Sequence, residues 1–142
     1  MPNETIFRPY TPEDLPFIYK SWIRTALAAK QYGSICRPFL ADAVKQTIDW
    51  LLANGSTVMV SCWAEDPTAL SGFVCFGLES KIPVIHFVYV KNAHRGHGVG
   101  SDLVAIGRAR KPGKISYTFK TRYTPRVLRE ADYKPFLVRE GT

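Results

Sequence analysis

Apolar residues change their period along this chain, and the changes mark out its elements. Leu15, Ile18 or Tyr19, Trp22 and Ala26 recur at helical spacing and form one apolar stripe. Thr11-Pro12-Glu13-Asp14 precedes them as a helix start: Thr11 as cap, Pro12 in the first helical position, Asp14 as the reciprocal acid. Gly33 and Pro38 bound an irregular stretch. Leu40, Val44, Ile48 and Leu51 then give a second helix over Phe39–Ala53, ended by Asn54-Gly55. Beyond it the period becomes that of strands. Ile6–Arg8 is a short opening strand, and Thr57–Trp63 and Gly72–Leu78 are joined through the turn sequence Glu65-Asp66-Pro67. Val84–Val90 is apolar on both faces, as a central strand should be. A short helix is expected over Ser101–Arg108, a strand over Ser116–Thr121, a turn or two of helix over Arg126–Ala131, and a last strand at Phe136–Val138.

The most informative segment is Val84–Gly100, where the apolar strand runs into Gly96, Gly98 and Gly100 and then a helix. A buried strand feeding a glycine-spaced loop and a helix N-terminus presents backbone N–H groups to phosphate. The spacing is not that of the dinucleotide fingerprint G-x-G-x-x-G, and no acidic residue follows where a ribose would be held. A plain tight turn is the alternative. It explains the glycines less well, because each gives up much backbone entropy on folding.

Arg95, Gly98 and Gly100 have the Arg/Gln-x-x-Gly-x-Gly/Ala spacing of the GCN5-related N-acetyltransferase superfamily, and the preceding strand and Leu103 match it too. The chain thus resembles a small acyl-coenzyme A-dependent acyltransferase. The resemblance implies an α/β (α+β) fold of one domain over residues 1–142. Its central sheet would be mixed but mostly antiparallel, splayed at the central strand, with helices on both faces. It also implies acetyl-coenzyme A, or a related acyl thioester, as co-substrate and a primary amine as acceptor. The pyrophosphate would lie against Arg95, Gly96, His97, Gly98, Val99, Gly100 and Ser101. The strand Phe87–Val90, with Val88, Tyr89 and Val90, would offer its backbone to the pantetheine arm. Ser21-Trp22 and His86-Phe87-Val88-Tyr89-Val90-Lys91 further resemble acyltransferase-like proteins of tailed bacteriophages, and in this fold Trp22–Cys36 would cover the acceptor side.

Amine acylation needs a base for the attacking nitrogen and a proton for the departing thiolate. Enzymes of this resemblance often place a glutamate on the central strands, but Val84–Val90 contains no acid. Its one imidazole, His86, is either a buried, hydrogen-bonded structural residue or the base. Glu79, at the end of the preceding strand, is the rival. The usual tyrosine acid falls at Leu128 when the expected Gly-Phe pair is aligned with Asp132-Tyr133, leaving Tyr123 as a substitute. These departures keep a coenzyme-binding protein without turnover in view.

Charge refines the picture without deciding it. Met1–Val90 carries 7 Lys/Arg and 8 Asp/Glu, whereas Lys91–Thr142 carries 12 and 4. A basic half suits a polyphosphate ligand, and equally a nucleic acid or an acidic protein. The aromatic and basic residues of Arg108–Tyr123 make a nucleic-acid-binding or nucleobase-modifying protein the minority reading, beside an ordinary solvated surface. Cys36, Cys62 and Cys75 lack metal-ligand spacing, as do His86, His94 and His97, so no metal is expected. Cys36 lies beside Arg37, but no local His or acid supports a nucleophile there. Reduced, buried thiols in a cytoplasmic protein are expected. No run of eighteen apolar residues suggests a membrane span, and Met1–Tyr10 lacks the order of a signal peptide. A short last strand leaves a sheet edge, so monomer and homodimer both stay open.

Overall fold

Strand alternation and two one-residue interruptions of register decide how this chain is layered. The computed structural model describes residues 4–79, 82–91, 98–108, 116–118 and 132–133. In chain order it contains β1 (Thr5–Pro9), a 3-10 turn (Pro12–Asp14), α1 (Leu15–Ala28), a second 3-10 turn (Lys30–Tyr32), α2 (Arg37–Ala53), β2 (Thr57–Trp63), β3 (Asp66–Glu79), β4 (Ile82–Val90), α3 (Val99–Arg108), β5 (Ser116–Tyr117) and β6 (Asp132–Tyr133). Among the described residues the strands form a six-stranded sheet in chain order. β1 to β4 are antiparallel, and β4–β5 and β5–β6 are parallel. This is the mixed, mostly antiparallel sheet expected from the sequence.

Each face of the sheet carries its own core. Ile18 and Trp22 of α1 and Ile48 and Leu51 of α2 pack on Val58, Val60, Cys62, Phe73, Cys75 and Phe87. On the opposite face Val99, Leu103 and Val104 of α3 pack on Val74, Phe76, Ile85 and Tyr117. Side chains of a strand alternate between faces, so Ile85 and Phe87 should share one. They do not, because Cys75 pairs with Phe87 while Phe76 pairs with Ile85. His86 is the extra residue of a β-bulge, and beyond it the phase of β4 is reversed. Phe87 then stacks on Trp22 at 4.6 Å and Tyr89 lies 6.0 Å from Phe17, while Val88 and Val90 turn to the α3 side. Burying a residue such as Phe87 contributes roughly 2–3 kcal/mol, so this aromatic cluster does much to hold α1 on the sheet.

A second interruption lies between β2 and β3. Ser61 pairs with Gly72 and Cys62 with Leu70, leaving Ser71 over. The buried Ser61 and Ser71 hydroxyls satisfy one another at 2.8 Å. A Cβ on residue 72 would stand 2.3 Å from the Tyr89 carbonyl oxygen, so only glycine lets β3 and β4 approach here.

Several boundaries differ from expectation. Helix α2 starts at Arg37, so Pro38 lies in its first turn, where a missing N–H costs nothing. Asp66 and Pro67 belong to β3, because the hairpin turns at Ala64-Glu65 and Asp66 pairs with Trp63. Helix α3 begins at Val99, two residues early. Strand β6 was not anticipated. Of the strand expected over Ser116–Thr121, the structure describes residues 116–118, with the ladder at Ser116–Tyr117. The segments expected at Arg126–Ala131 and Phe136–Val138 lie outside the described residues.

Asp14 does more than cap. Its carboxylate accepts the Thr11 backbone N–H at 2.8 Å and a two-pronged contact from Arg8, at 2.7 and 3.1 Å, while Arg8 also donates to the Pro67 carbonyl at 2.8 Å. One guanidinium thus joins β1, the start of α1 and the β2–β3 hairpin. Burial alone would raise the Asp14 pKa, but the hydrogen bonds from Arg8 and Thr11 outweigh it and hold the carboxyl below its usual value. A carboxyl depressed in the folded state stabilises above the unfolded pKa, and that contribution is lost as pH falls through the folded value. Asp14→Asn is therefore expected to lose about 2–3 kcal/mol at pH 7. In urea unfolding the gap from wild type should narrow steadily between about pH 5 and pH 3. A gap independent of pH would contradict this assignment.

Candidate active site

Strand β4 and helix α3 place the expected phosphate-binding residues. Val99, Leu103 and Val104 anchor α3 in the core that also receives Val88 and Val90, so its first turn is tied to the C-terminal half of β4. Gly98 precedes the helix with φ of +82°, a conformation that side chains rarely adopt, and its carbonyl accepts the Asp102 N–H at 3.0 Å. Among the described residues, its chain neighbours aside, no atom lies within 4 Å of where a Gly98 Cβ would stand. Helix geometry leaves the N–H groups of Val99, Gly100 and Ser101 without intrahelical acceptors, at the positive end of the helix dipole. Such a terminus attracts negative charge. Arg95, Gly96 and His97 lie outside the described residues, as does Tyr123.

The strand beside this helix has its side chains engaged in packing. Phe87 is buried under Trp22, Tyr89 joins the aromatic cluster, and Val88 and Val90 pack toward α3. β3 follows β4 as far as Val90, whereas the described part of β5 pairs only with Val84 and Ile85. The Thr118 N–H adds a bond to the Ile85 carbonyl at 3.0 Å.

His86 sits where that parallel pairing reaches its last described contact. It is 1% exposed, and its Nδ1 lies 3.0 Å from the Thr118 Oγ1, also buried. Its Nε2 is buried and has no hydrogen-bond partner among the described residues. Desolvation pulls the imidazole pKa down to about 4, so the ring is neutral at physiological pH. Glu79 closes β3 opposite Ile82. Ile82 and His86 are four residues apart, roughly 13 Å along the strand. The two candidate bases are thus on neighbouring strands without being brought together. The sequence reading missed Thr118, and also Gly77, whose Cβ would stand 3.9 Å from His86 Nε2 and 3.2 Å from Ser56 Oγ. Thr118 was legible only as the polar half of an alternation, and Gly77 only as a glycine in a strand.

Elsewhere, a groove of about 530 Å³ runs between the start of α1 and the residue after β4, lined in part by Thr11, Glu13, Phe17, Thr68 and Lys91. It contains none of the expected site residues. Among the described residues no group of three or more His, Cys, Asp or Glu is placed to hold a metal, and no helix is long and apolar enough to cross a membrane. Cys62 and Cys75 are buried as expected, but Cys36 is exposed, because it precedes α2 outside both cores.

The acetyltransferase (GNAT) family model matches residues 17–124, well over half of the chain and including the β4–α3 junction. The chain belongs to the GNAT family. Solved structures agree at the level of fold. A Pyrococcus furiosus protein assigned as an acetyl transferase superposes with a TM-score of 0.67 at 20% identity, covering 92% of this chain and 93% of its own. YjaB from Escherichia coli, solved in its apo form, gives 0.54 at 20% identity, with 77% and 67% covered. The PaiA N-acetyltransferase from Thermoplasma acidophilum, solved in complex with coenzyme A, gives 0.54 at 13% identity, with 75% and 71% covered. No curated protein sequence matches the chain.

The burial pattern of this GNAT protein makes its thiols distinguishable. With Cys36 exposed, Cys62 buried and the Cys75 pKa pushed up to about 12 by burial, one thiol should react quickly with an aromatic disulfide reagent. The other two should react only on unfolding. Fast reaction of a second thiol in the native protein would contradict the packing of β2 and β3.

Proposed function

We propose that the chain is an N-acyltransferase that passes an acetyl group from acetyl-coenzyme A to a primary amine by direct attack. The observation that carries this reading is the junction of β4 with α3. There Gly98, in a left-handed conformation over open space, opens a helix whose first N–H groups can receive a pyrophosphate. The backbone of β4 is read as the partner of the amide-bearing arm, and the positive charge that follows Lys91 favours the same polyanion. In the reaction the amine nitrogen bonds to the thioester carbonyl carbon and the C–S bond breaks. One N–H proton passes to a base, and the thiolate takes a proton.

For these proton transfers the chain offers His86 or Glu79 as base and Tyr123 as acid. His86 serves as base only in the tautomer whose Nδ1–H donates to Thr118, which leaves the Nε2 lone pair free. With Trp22–Cys36 read as the acceptor side, Ile35 within it, 37% exposed, and Phe39 four residues further on, 70% exposed, support an acceptor with an apolar part beside its amine. The bacteriophage setting rests on Ser21-Trp22 and the His86–Lys91 pattern alone. The burial of His86 favours one second reading, a coenzyme-binding protein without turnover.

The test is thiol release from acetyl-coenzyme A with a panel of primary amines, run beside His86→Ala, Glu79→Gln and Tyr123→Phe. Wild type should turn over, with kcat/KM rising with pH as the amine loses its proton. A variant lacking the base or acid should lose about 10²- to 10⁴-fold in kcat while still binding acetyl-coenzyme A. Wild-type binding with no turnover on any amine would replace this reading with the non-catalytic one.

A further inference from the structure

The hydrogen-bond accounting around His86 fixes more than its burial. Ser56, just before β2, Gly77 in β3, His86 in β4 and Thr118, just after β5, form a row across the sheet. Thr118 Oγ1 has His86 Nδ1 as its side-chain hydrogen-bond partner, and His86 Nε2 has none. Two arrangements satisfy the 3.0 Å contact. If Nδ1–H donates to Thr118, the Thr118 hydroxyl proton is left buried without an acceptor and the Nε2 lone pair is left without a donor. If Thr118 O–H donates to Nδ1, the hydroxyl proton and the Nδ1 lone pair are both satisfied, and a single group, Nε2–H, remains to be matched. Each unmatched buried polar group carries its desolvation penalty uncompensated, so the second arrangement is favoured.

We infer that Thr118 O–H donates to Nδ1, that His86 is the Nε2–H tautomer, and that this N–H holds one water molecule over Gly77 beside Ser56 Oγ. The placement follows from the glycine: the direction a Cβ would take from residue 77 leads to a point 3.9 Å from His86 Nε2 and 3.2 Å from Ser56 Oγ, so an oxygen farther out on that side faces both groups. Two such partners, one of them a buried N–H, meet the minimum that a bound water needs. His86 is then a positioning residue rather than a base. Its Nδ1 ties the bulge of β4 to the end of β5, and its Nε2 is occupied as a donor. This rests on the acyltransferase reading only for its consequence, which is that the base must be sought at Glu79 or in solvent.

The test is long-range ¹H–¹⁵N correlation on protein labelled at histidine nitrogen, which reports which ring nitrogen carries the proton whether or not the protein is an enzyme. Expected for wild type are a protonated Nε2, a hydrogen-bonded unprotonated Nδ1, and a cross-peak from Hε2 to a long-lived water. Thr118→Ser should keep that pattern, and Thr118→Val should lose it. Gly77→Ala should lose the water cross-peak and keep the tautomer. A proton on Nδ1 in wild type would overturn the inference while leaving the acyltransferase reading intact. An Hε2 with no water contact in wild type would overturn the water site. If Thr118→Val fails to fold, the wild-type and Thr118→Ser spectra alone decide the tautomer.

Discussion

The extra residue that His86 inserts into β4 sets the phase of the strand on which the site depends. Val84 and Ile85 are paired on both sides, and the register with β3 then slips by one residue. Without the slip Phe87 and Tyr89 would face α3, and Val88 and Val90 would face α1. With it, two aromatic rings meet Trp22 and Phe17, and two small β-branched residues meet α3. Both helical layers are matched to that arrangement. The bulge also follows directly on the described pairing with β5, so one local irregularity orients the packing on both faces beside that seam.

Two further contacts keep β4 in place. Gly72 allows the Tyr89 carbonyl to approach a point that any side chain would fill, and the Lys91 N–H reaches the Ser71 carbonyl at 2.8 Å. Arg8 and Asp14 join the first strand, the first helix and the β2–β3 hairpin at the same end of the sheet. Helix α3 then needs only its apolar stripe of Val99, Leu103 and Val104 to bring a positive helix terminus alongside β4. The rigidity of the β4–α3 region derives from this packing.

Much of this was legible in the sequence, and the exceptions have physical reasons. The stripes Leu15–Ala26 and Leu40–Leu51 and the apolar run Val84–Val90 specify helices and a central strand, because their periodicity is local. Gly98 could be singled out since a left-handed residue before a helix leaves a glycine as its trace. The bulge could not, because a strand buried on both faces is apolar at every position and carries no phase; only the lone imidazole hinted at it. The Arg8–Asp14 pair was missed because the capping pattern already accounted for Asp14, and the partner lay in another element. Pro38 and Pro67 were read as breaks, although one sits in a helix's first turn and the other in a strand near its hairpin, positions that proline tolerates. Thr118 became meaningful only once β5 lay beside β4.

The central claim is that the β4–α3 junction receives the pyrophosphate of an acyl-coenzyme A, and titration calorimetry with acetyl-coenzyme A tests it most directly. Wild type is to be compared with Gly98→Trp, whose side chain would occupy the open space in front of the helix, with folding of both checked by circular dichroism. The account expects saturable one-to-one binding by wild type and at least a tenfold loss in the folded variant. Folded wild type that takes up no acetyl-coenzyme A, or a folded Gly98→Trp that binds as tightly as wild type, would contradict it.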